Sequence, residues 1–276
     1  MKFDKSQLLI YAVTDRAWTG KMSLYEQTEA ALKGGATMVQ LREKGLRDDN
    51  VEEYLEEAKK MRALTEKYNV PLLIDDNIKL AKACGADGVH VGQNDMDAGL
   101  ARQLLGPDKI LGVTAKTVEQ ALKAQSQGAD YLGSGAVFGT STKKDARPMT
   151  MEQLQAICAS VKIPVVAIGG ICLDNIEKLQ GSGAAGAAIV SGIFAAEDIE
   201  GTTRAFVKKW NVLFRRCQVV TTGMSVIKRH DISKNEKKFL ITKGTAISGP
   251  FSICPVFNKF RKILYLSQFC VILTKL

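Results

Sequence analysis

Between a Gly35-Ala36 turn and an acidic, helix-like stretch runs Val39-Gln40-Leu41-Arg42-Glu43-Lys44. Side chains alternate across a strand, so Gln40, Arg42 and Lys44 share one face while Val39 and Leu41 take the other. An amide and two cations on a face that a sheet buries call for an anionic counterpart, because an unpaired buried cation is costly. Glu43 lies on the opposite face, which leaves Asp75, Asp76 and Asp95 as the nearby protein candidates. The same carboxylates suit a hard divalent cation with oxygen ligands. A polyphosphate satisfies both halves: Mg2+ lies between the acids and the phosphate oxygens, while Arg42, Lys44 and Lys143 take the outer charge. These residues therefore predict a diphosphate substrate with Mg2+. A second phosphate is expected at the glycine-rich stretches Gly169-Gly170 and Ser191-Gly192, where backbone N–H groups can face it.

Elements that could position such residues recur along the chain. Apolar periodicity predicts strands over 8–15, 38–44, 71–76, 88–93, 110–115, 131–138, 164–170 and 186–194. Each is followed by a helix-like stretch, over 23–33, 49–68, 77–83, 97–105, 117–127, 151–161, 174–180 and 199–213. A Gly-Ala pair before every second strand (Gly35-Ala36, Gly85-Ala86, Gly128-Ala129, Gly183-Ala184) marks a weak repeat, with glycine ending each helix in a left-handed turn. Strict alternation implies a parallel sheet, and eight units of this length predict an α/β fold, a (β/α)8 TIM barrel over residues 1–213. A doubly wound open sheet is the alternative, but no G-x-G-x-x-G follows the first strand. In a barrel the strand ends hold the site, and Thr14-Asp15, Gln40 to Lys44, Asp75-Asp76-Asn77, Asp95, Thr114 and the run Thr140-Ser141-Thr142-Lys143-Lys144 all fall there.

Structural roles compete for several of these residues. Asp15 and Asn77 read as helix N-caps, a role that Asp75 and Asp76 cannot both fill. The run around Lys143 also reads as a solvated loop. His90, between Val89 and Val91, reads as a hydrogen-bonded residue of the barrel interior rather than a ligand. The formal charge of +9 does not bear on the site. Residues 214–276 hold 12 of the 38 Lys+Arg and 2 of the 29 Asp+Glu, a charge of +10, which leaves −1 for residues 1–213. Six scattered cysteines and two histidines argue against a zinc site or a disulfide scaffold. Without an export signal or a long apolar span, the expected setting is the cytoplasm, with no membrane or nucleic-acid partner for the barrel.

With those residues placed, the chain resembles the thiamine phosphate synthase family. The pattern stands here as YAVTD (11–15), QLREK (40–44), DD (75–76), GADGVHVGQND (85–95), GVTAKT (112–117), TSTKKD (140–145), AIGGI (167–171) and IVSGIF (189–194). It spans residues 8–213. The resemblance implies condensation of an aminopyrimidine diphosphate with a methylthiazole phosphate, expected in its carboxylated form, to give thiamine phosphate and diphosphate. It implies that the segment Gln40, Leu41, Arg42, Glu43, Lys44 binds the pyrimidine diphosphate together with Lys143, and that Asp75 contacts the pyrimidine where the family has Asn. It also implies Asp76 and Asp95 as Mg2+ ligands, Thr114 as a substrate contact, Thr140, Ser141 and Thr142 near the thiazole phosphate, and Gly170, Val190 and Ser191 on its phosphate. Arg42, Lys44, Lys143 and Thr114 are the expected catalytic residues, and a homodimer is expected from the likeness alone.

Lys116 stands where the family commonly has His, and Gly139 where Pro is frequent. Residues 214–276 depart altogether. They hold six of the ten Phe and no βα pattern. They are expected to form a basic extension, disordered or non-native; an appended packing segment and a contact with RNA or an anionic membrane are the other readings. Two rival functions share the barrel. A thiazole tautomerase would not need the diphosphate residues, and a non-catalytic regulatory barrel would bind precursors without turning them over.

Overall fold

The computed structural model describes residues 3–43, 50–93, 95–139 and 148–225, with side chains as far as residue 212. Eight parallel strands close into one barrel in sequence order: β1 (Ile10–Val13), β2 (Met38–Leu41), β3 (Leu72–Asp75), β4 (Gly88–Val91), β5 (Ile110–Thr114), β6 (Tyr131–Gly135), β7 (Val165–Ile168) and β8 (Gly186–Ile189). β8 pairs with β1, Ala188 opposite Tyr11, and leaves no open edge. The helices are α1 (Leu24–Lys33), α2 (Val51–Lys67), α3 (Ile78–Cys84), α4 (Ala98–Leu105), α5 (Val118–Ser126), α6 (Met151–Ser160), α7 (Ser191–Phe194) and α8 (Ile199–Ser225). The chain divides after Arg215 into two units, and the barrel belongs to the first. Among the described residues no helix is long and apolar enough to cross a membrane. The basic segment from residue 226 onward lies outside the described residues.

The period-two alternation of the strands sorts the core into two layers. Ile10, Val39, Leu41, Leu72, Ile74, Val89, Leu111 and Leu132 face outward and pack on the helices. Tyr11, Val13, Met38, Leu73, Ile110, Tyr131, Val166 and Ala188 face inward and fill the barrel. The Gly-Ala pair follows a helix in three of its four places, after α1, α3 and α5, whereas Gly183 follows only the 3-10 turn Ile176–Leu179. Gly35, Gly85, Gly128 and Gly183 all have positive φ, a backbone state that only glycine enters without strain, and the alanine after each is buried. Local caps fix the helix starts: Ser23 and Glu26 form a capping box on α1, and Asn77 Oδ1 accepts from Leu80 N–H at 2.7 Å on α3.

Three elements differ from the sequence expectation. The stretch 174–180 forms only a short 3-10 turn, Ile176–Leu179. Its potential cap, Asn175, turns back instead, donating to Gly170 O at 2.8 Å and accepting from Cys172 N–H at 2.9 Å. β8 stops at Ile189, and the apolar run beyond it coils into α7, because an unbroken apolar segment does not separate strand from helix. The last helix runs to Ser225 rather than 213.

The barrel interior is tight where large side chains meet. A Cβ on Gly112 would stand 2.2 Å from the Tyr131 ring and 2.5 Å from His90 Nδ1. Gly112→Ala is therefore expected to destabilise the fold by about 1–3 kcal/mol, measured as a lower urea midpoint at unchanged slope. An unaltered midpoint would mean that the interior has room to yield.

Candidate active site

A cavity of about 200 Å³ opens at the C-terminal ends of the strands, the end at which barrel enzymes hold their sites. Its walls bring together Gln40, Arg42, Asp75, Asp76, Asp95, Thr114, Gly170, Val190 and Ser191. All nine were singled out in the sequence. Leu41 and Glu43 do not face it. Leu41 is buried among the helix-facing side chains, and Glu43 accepts from Arg16 Nε at 2.6 Å on the outer side, so neither offers its side chain to a ligand there. The expected roles of Lys44, Thr140, Ser141, Thr142 and Lys143 fall on positions outside the described residues.

Arg42 is held from several directions. Its backbone N–H donates to Thr14 Oγ1 at 3.0 Å, and Thr14 N–H donates in turn to Gln40 O. Its guanidinium pairs with Asp15 at 3.0 Å and with Asp75 at 3.6 Å. Asp15 caps the short 3-10 turn Arg16–Trp18, as its position predicts: its Oδ1 accepts from Ala17 N–H at 3.0 Å. Its other oxygen fixes the cation, a second role invisible in spacing. Asp75 meets Arg42 as well, so this acid, where the resemblance expects an amide, finds a partner at the end of the neighbouring strand.

The acid pair sits on one amide. Gly92 N–H donates to Asp76 Oδ1 at 3.2 Å and to Asp95 Oδ2 at 2.9 Å. Sharing that donor draws the carboxylates together, and a Cβ on Gly92 would come within 2.3 Å of Asp95 Oδ2. Asp76 also holds a positive φ of 56°, unusual for a side-chain-bearing residue and typical of functional loops. Burial, then the charges of Asp75 and Asp95, push its carboxyl up to about 8. A hard cation relieves crowding of this kind, and the oxygen-only donor pair of Asp76 and Asp95 fits Mg2+. Among the described residues there is no cluster of three or more acidic, His or Cys side chains able to hold a metal by itself.

Beneath the cavity a chain of hydrogen bonds crosses the barrel. Gln40 Nε2 donates to Tyr11 OH at 2.6 Å, Tyr11 OH lies 3.0 Å from Tyr131 OH, Tyr131 OH 2.9 Å from His90 Nδ1, and His90 Nε2 3.0 Å from Thr114 Oγ1. Burial pushes both phenols well above their usual range, so they remain protonated. His90 has the interior, hydrogen-bonded place expected of it, but it also lines the cavity, as does Lys116. The tyrosines were unreadable as site residues, because 120 positions of sequence separate them.

At the strand seven and eight ends, Gly169 and Gly170 have positive φ of 102° and 64°. A Cβ on Gly170 would lie 1.9 Å from Gly139 O, so the chain here admits no larger residue. Gly169, Gly170, Val190 and Ser191 line the cavity on this side.

Known proteins resemble this chain over most of the barrel. The family model described as "Thiamine monophosphate synthase" matches residues 10–193. Thiamine-phosphate synthase 2 of Streptococcus pneumoniae serotype 4 is 46% identical over 206 residues, 75% of this chain and 97% of that protein. Thiamine-phosphate synthase of Alkaliphilus oremlandii is 49% identical over 191 residues, 69% of this chain and 90% of that protein. Among solved structures, thiamine phosphate pyrophosphorylase from Pyrococcus furiosus superposes with a TM-score of 0.69 at 38% identity, covering 76% of this chain and 98% of that one.

The crowding of Asp76 has a pH signature. A carboxyl raised from 3.8 to about 8 on folding favours the fold while protonated, and that contribution is lost as pH rises through this window. In metal-free buffer Asp76→Asn should raise the melting temperature by about 2–4 °C near pH 9 and leave it unchanged near pH 4. Equal melting at both pH values would contradict the repulsion.

Proposed function

Since this chain belongs to the thiamine monophosphate synthase family, we propose that its cavity joins an aminopyrimidine diphosphate to a thiazole phosphate, with the two charged walls dividing the work. Thiamine-phosphate synthesis, a transferase reaction, is the activity. The finer assignment rests on one observation above the others: Arg42 and the Asp76–Asp95 pair line the same cavity. A diphosphate with a divalent cation is the ligand that both walls accept.

In this reading Asp76 and Asp95 hold Mg2+, which when bound neutralises charge on the diphosphate oxygens. Arg42 binds the same group from the opposite side, joined by Lys44 and Lys143. The bond between the pyrimidine methylene carbon and the diphosphate oxygen breaks, with both electrons leaving on oxygen. The lone pair of the thiazole nitrogen then forms the C–N bond. Neither step removes a proton through a general base, which suits a cavity whose charged groups stabilise the leaving group and whose walls align the nucleophile. The electron-rich aminopyrimidine carries the positive charge between the two steps, so the path is dissociative. The glycine-rich wall at Gly170, Val190 and Ser191 takes the thiazole phosphate through backbone N–H groups, with Thr140, Ser141 and Thr142 beside it.

Gln40, Asp75 and Thr114 orient the pyrimidine. Cys84, Cys158 and Cys172 are free thiols, consistent with the reducing cytoplasm in which we place the enzyme. Its partners are the two substrates and, by family likeness, a second copy of the chain.

Thiamine phosphate formation from the two precursors, assayed with the full chain, should require Mg2+, and Arg42→Gln should lower kcat/KM by about 10²-fold or more. Metal-independent turnover, or full activity without the guanidinium, would refute the assignment. A fluorinated, electron-poor pyrimidine diphosphate should slow the chemical step by about tenfold or more; an unchanged single-turnover rate would reject the dissociative path.

A further inference from the structure

The buried chain beneath the cavity has a direction, and that direction reaches the ligand. Each tyrosine hydroxyl carries one proton and can donate once. Gln40 Nε2 donates to Tyr11 OH, so Tyr11 must pass its proton to Tyr131, since a hydroxyl that accepted from both neighbours would leave its own buried proton without a partner. Tyr131 then donates to His90 Nδ1, which must be the unprotonated nitrogen. The remaining ring proton lies on Nε2 and is donated to Thr114 Oγ1. Thr114 Oγ1 thus accepts from the ring and keeps its own proton to give.

We propose that His90, through Tyr131 and Tyr11, is a positioning residue that sets the hydrogen-bonding polarity of two cavity walls at once: Gln40 presents its amide oxygen to the ligand, and Thr114 its hydroxyl proton. The proposal deepens the synthase reading and rests on it for the identity of the ligand. One wall accepts and the other donates, and neither can reverse without reversing every bond between them. A 4-aminopyrimidine offers an N–H donor to the amide oxygen and acceptor atoms to the hydroxyl. A 4-oxopyrimidine inverts the first of these and should be refused. Gly112 serves the relay by leaving room for the Tyr131 and His90 rings, whose centroids lie 5.6 Å apart.

Two readouts test this, and they fail separately. The chain has two histidines, His90 and His230, so long-range proton–nitrogen NMR of the full chain, with His230→Gln to assign signals, reads the tautomer directly. A neutral ring protonated on Nε2 is expected at neutral pH, and Tyr131→Phe should let the Nδ1-protonated form appear. An Nδ1 proton or an imidazolium in the parent protein would overturn the relay, whatever the enzyme's activity proves to be. In steady-state kinetics the parent should prefer the amino over the oxo pyrimidine diphosphate by about 10²-fold or more in kcat/KM. Tyr131→Phe should shrink that ratio by about tenfold while leaving the KM for thiazole phosphate in place. An unchanged ratio in Tyr131→Phe, or in Tyr11→Phe should the first variant fail to fold, would reduce the chain to packing. If the parent forms no thiamine phosphate, the synthase reading fails while the NMR result still decides the relay.

Discussion

A guanidinium and a crowded acid pair face one cavity at the mouth of a closed barrel, and neither charge is allowed to collapse onto the other. Arg42 is restrained by Asp15 and Asp75, while Asp76 and Asp95 are gathered on the Gly92 amide. Charges taken from water are costly unless paired. Burial first, and the charges of Asp75 and Asp95 second, push the Asp76 carboxyl up to about 8. A ligand that brings both a divalent cation and phosphate oxygens completes the arrangement.

Much of this was legible in the residues. Alternation in β2 put Gln40 and Arg42 inward and Leu41 outward, and three of the four Gly-Ala pairs mark the ends of α1, α3 and α5, because both signals depend on local backbone geometry. Nine of the singled-out residues meet in one cavity for the same reason: a parallel barrel collects every strand end on one face. What spacing could not reveal is where one residue does two things or where distant residues meet. Asp15 caps its turn and grips Arg42, and Tyr11 finds Tyr131 only once the barrel has closed. The end of β8 is not legible, because Ala187 to Phe194 is a nearly unbroken apolar run that suits a buried strand and a buried helix equally.

The interior below the site is neither inert packing nor a void. Its apolar layer of Met38, Leu73, Ile110 and Val166 encloses the polar chain from Gln40 to Thr114. A low-dielectric surround strengthens satisfied hydrogen bonds and penalises any left unmade. The wall residues therefore inherit fixed orientations from the core beneath them, and the cavity is shaped before a substrate arrives.

The central claim, that one diphosphate joins the basic wall to the acid pair through a magnesium ion, is tested most directly by a diffraction structure of the chain grown with Mg2+ and inorganic diphosphate. The account predicts diphosphate oxygens against the Arg42 guanidinium and a cation between that group and the carboxylates of Asp76 and Asp95. Diphosphate bound away from Arg42, or a cation bound elsewhere with the two aspartates unengaged, would contradict it.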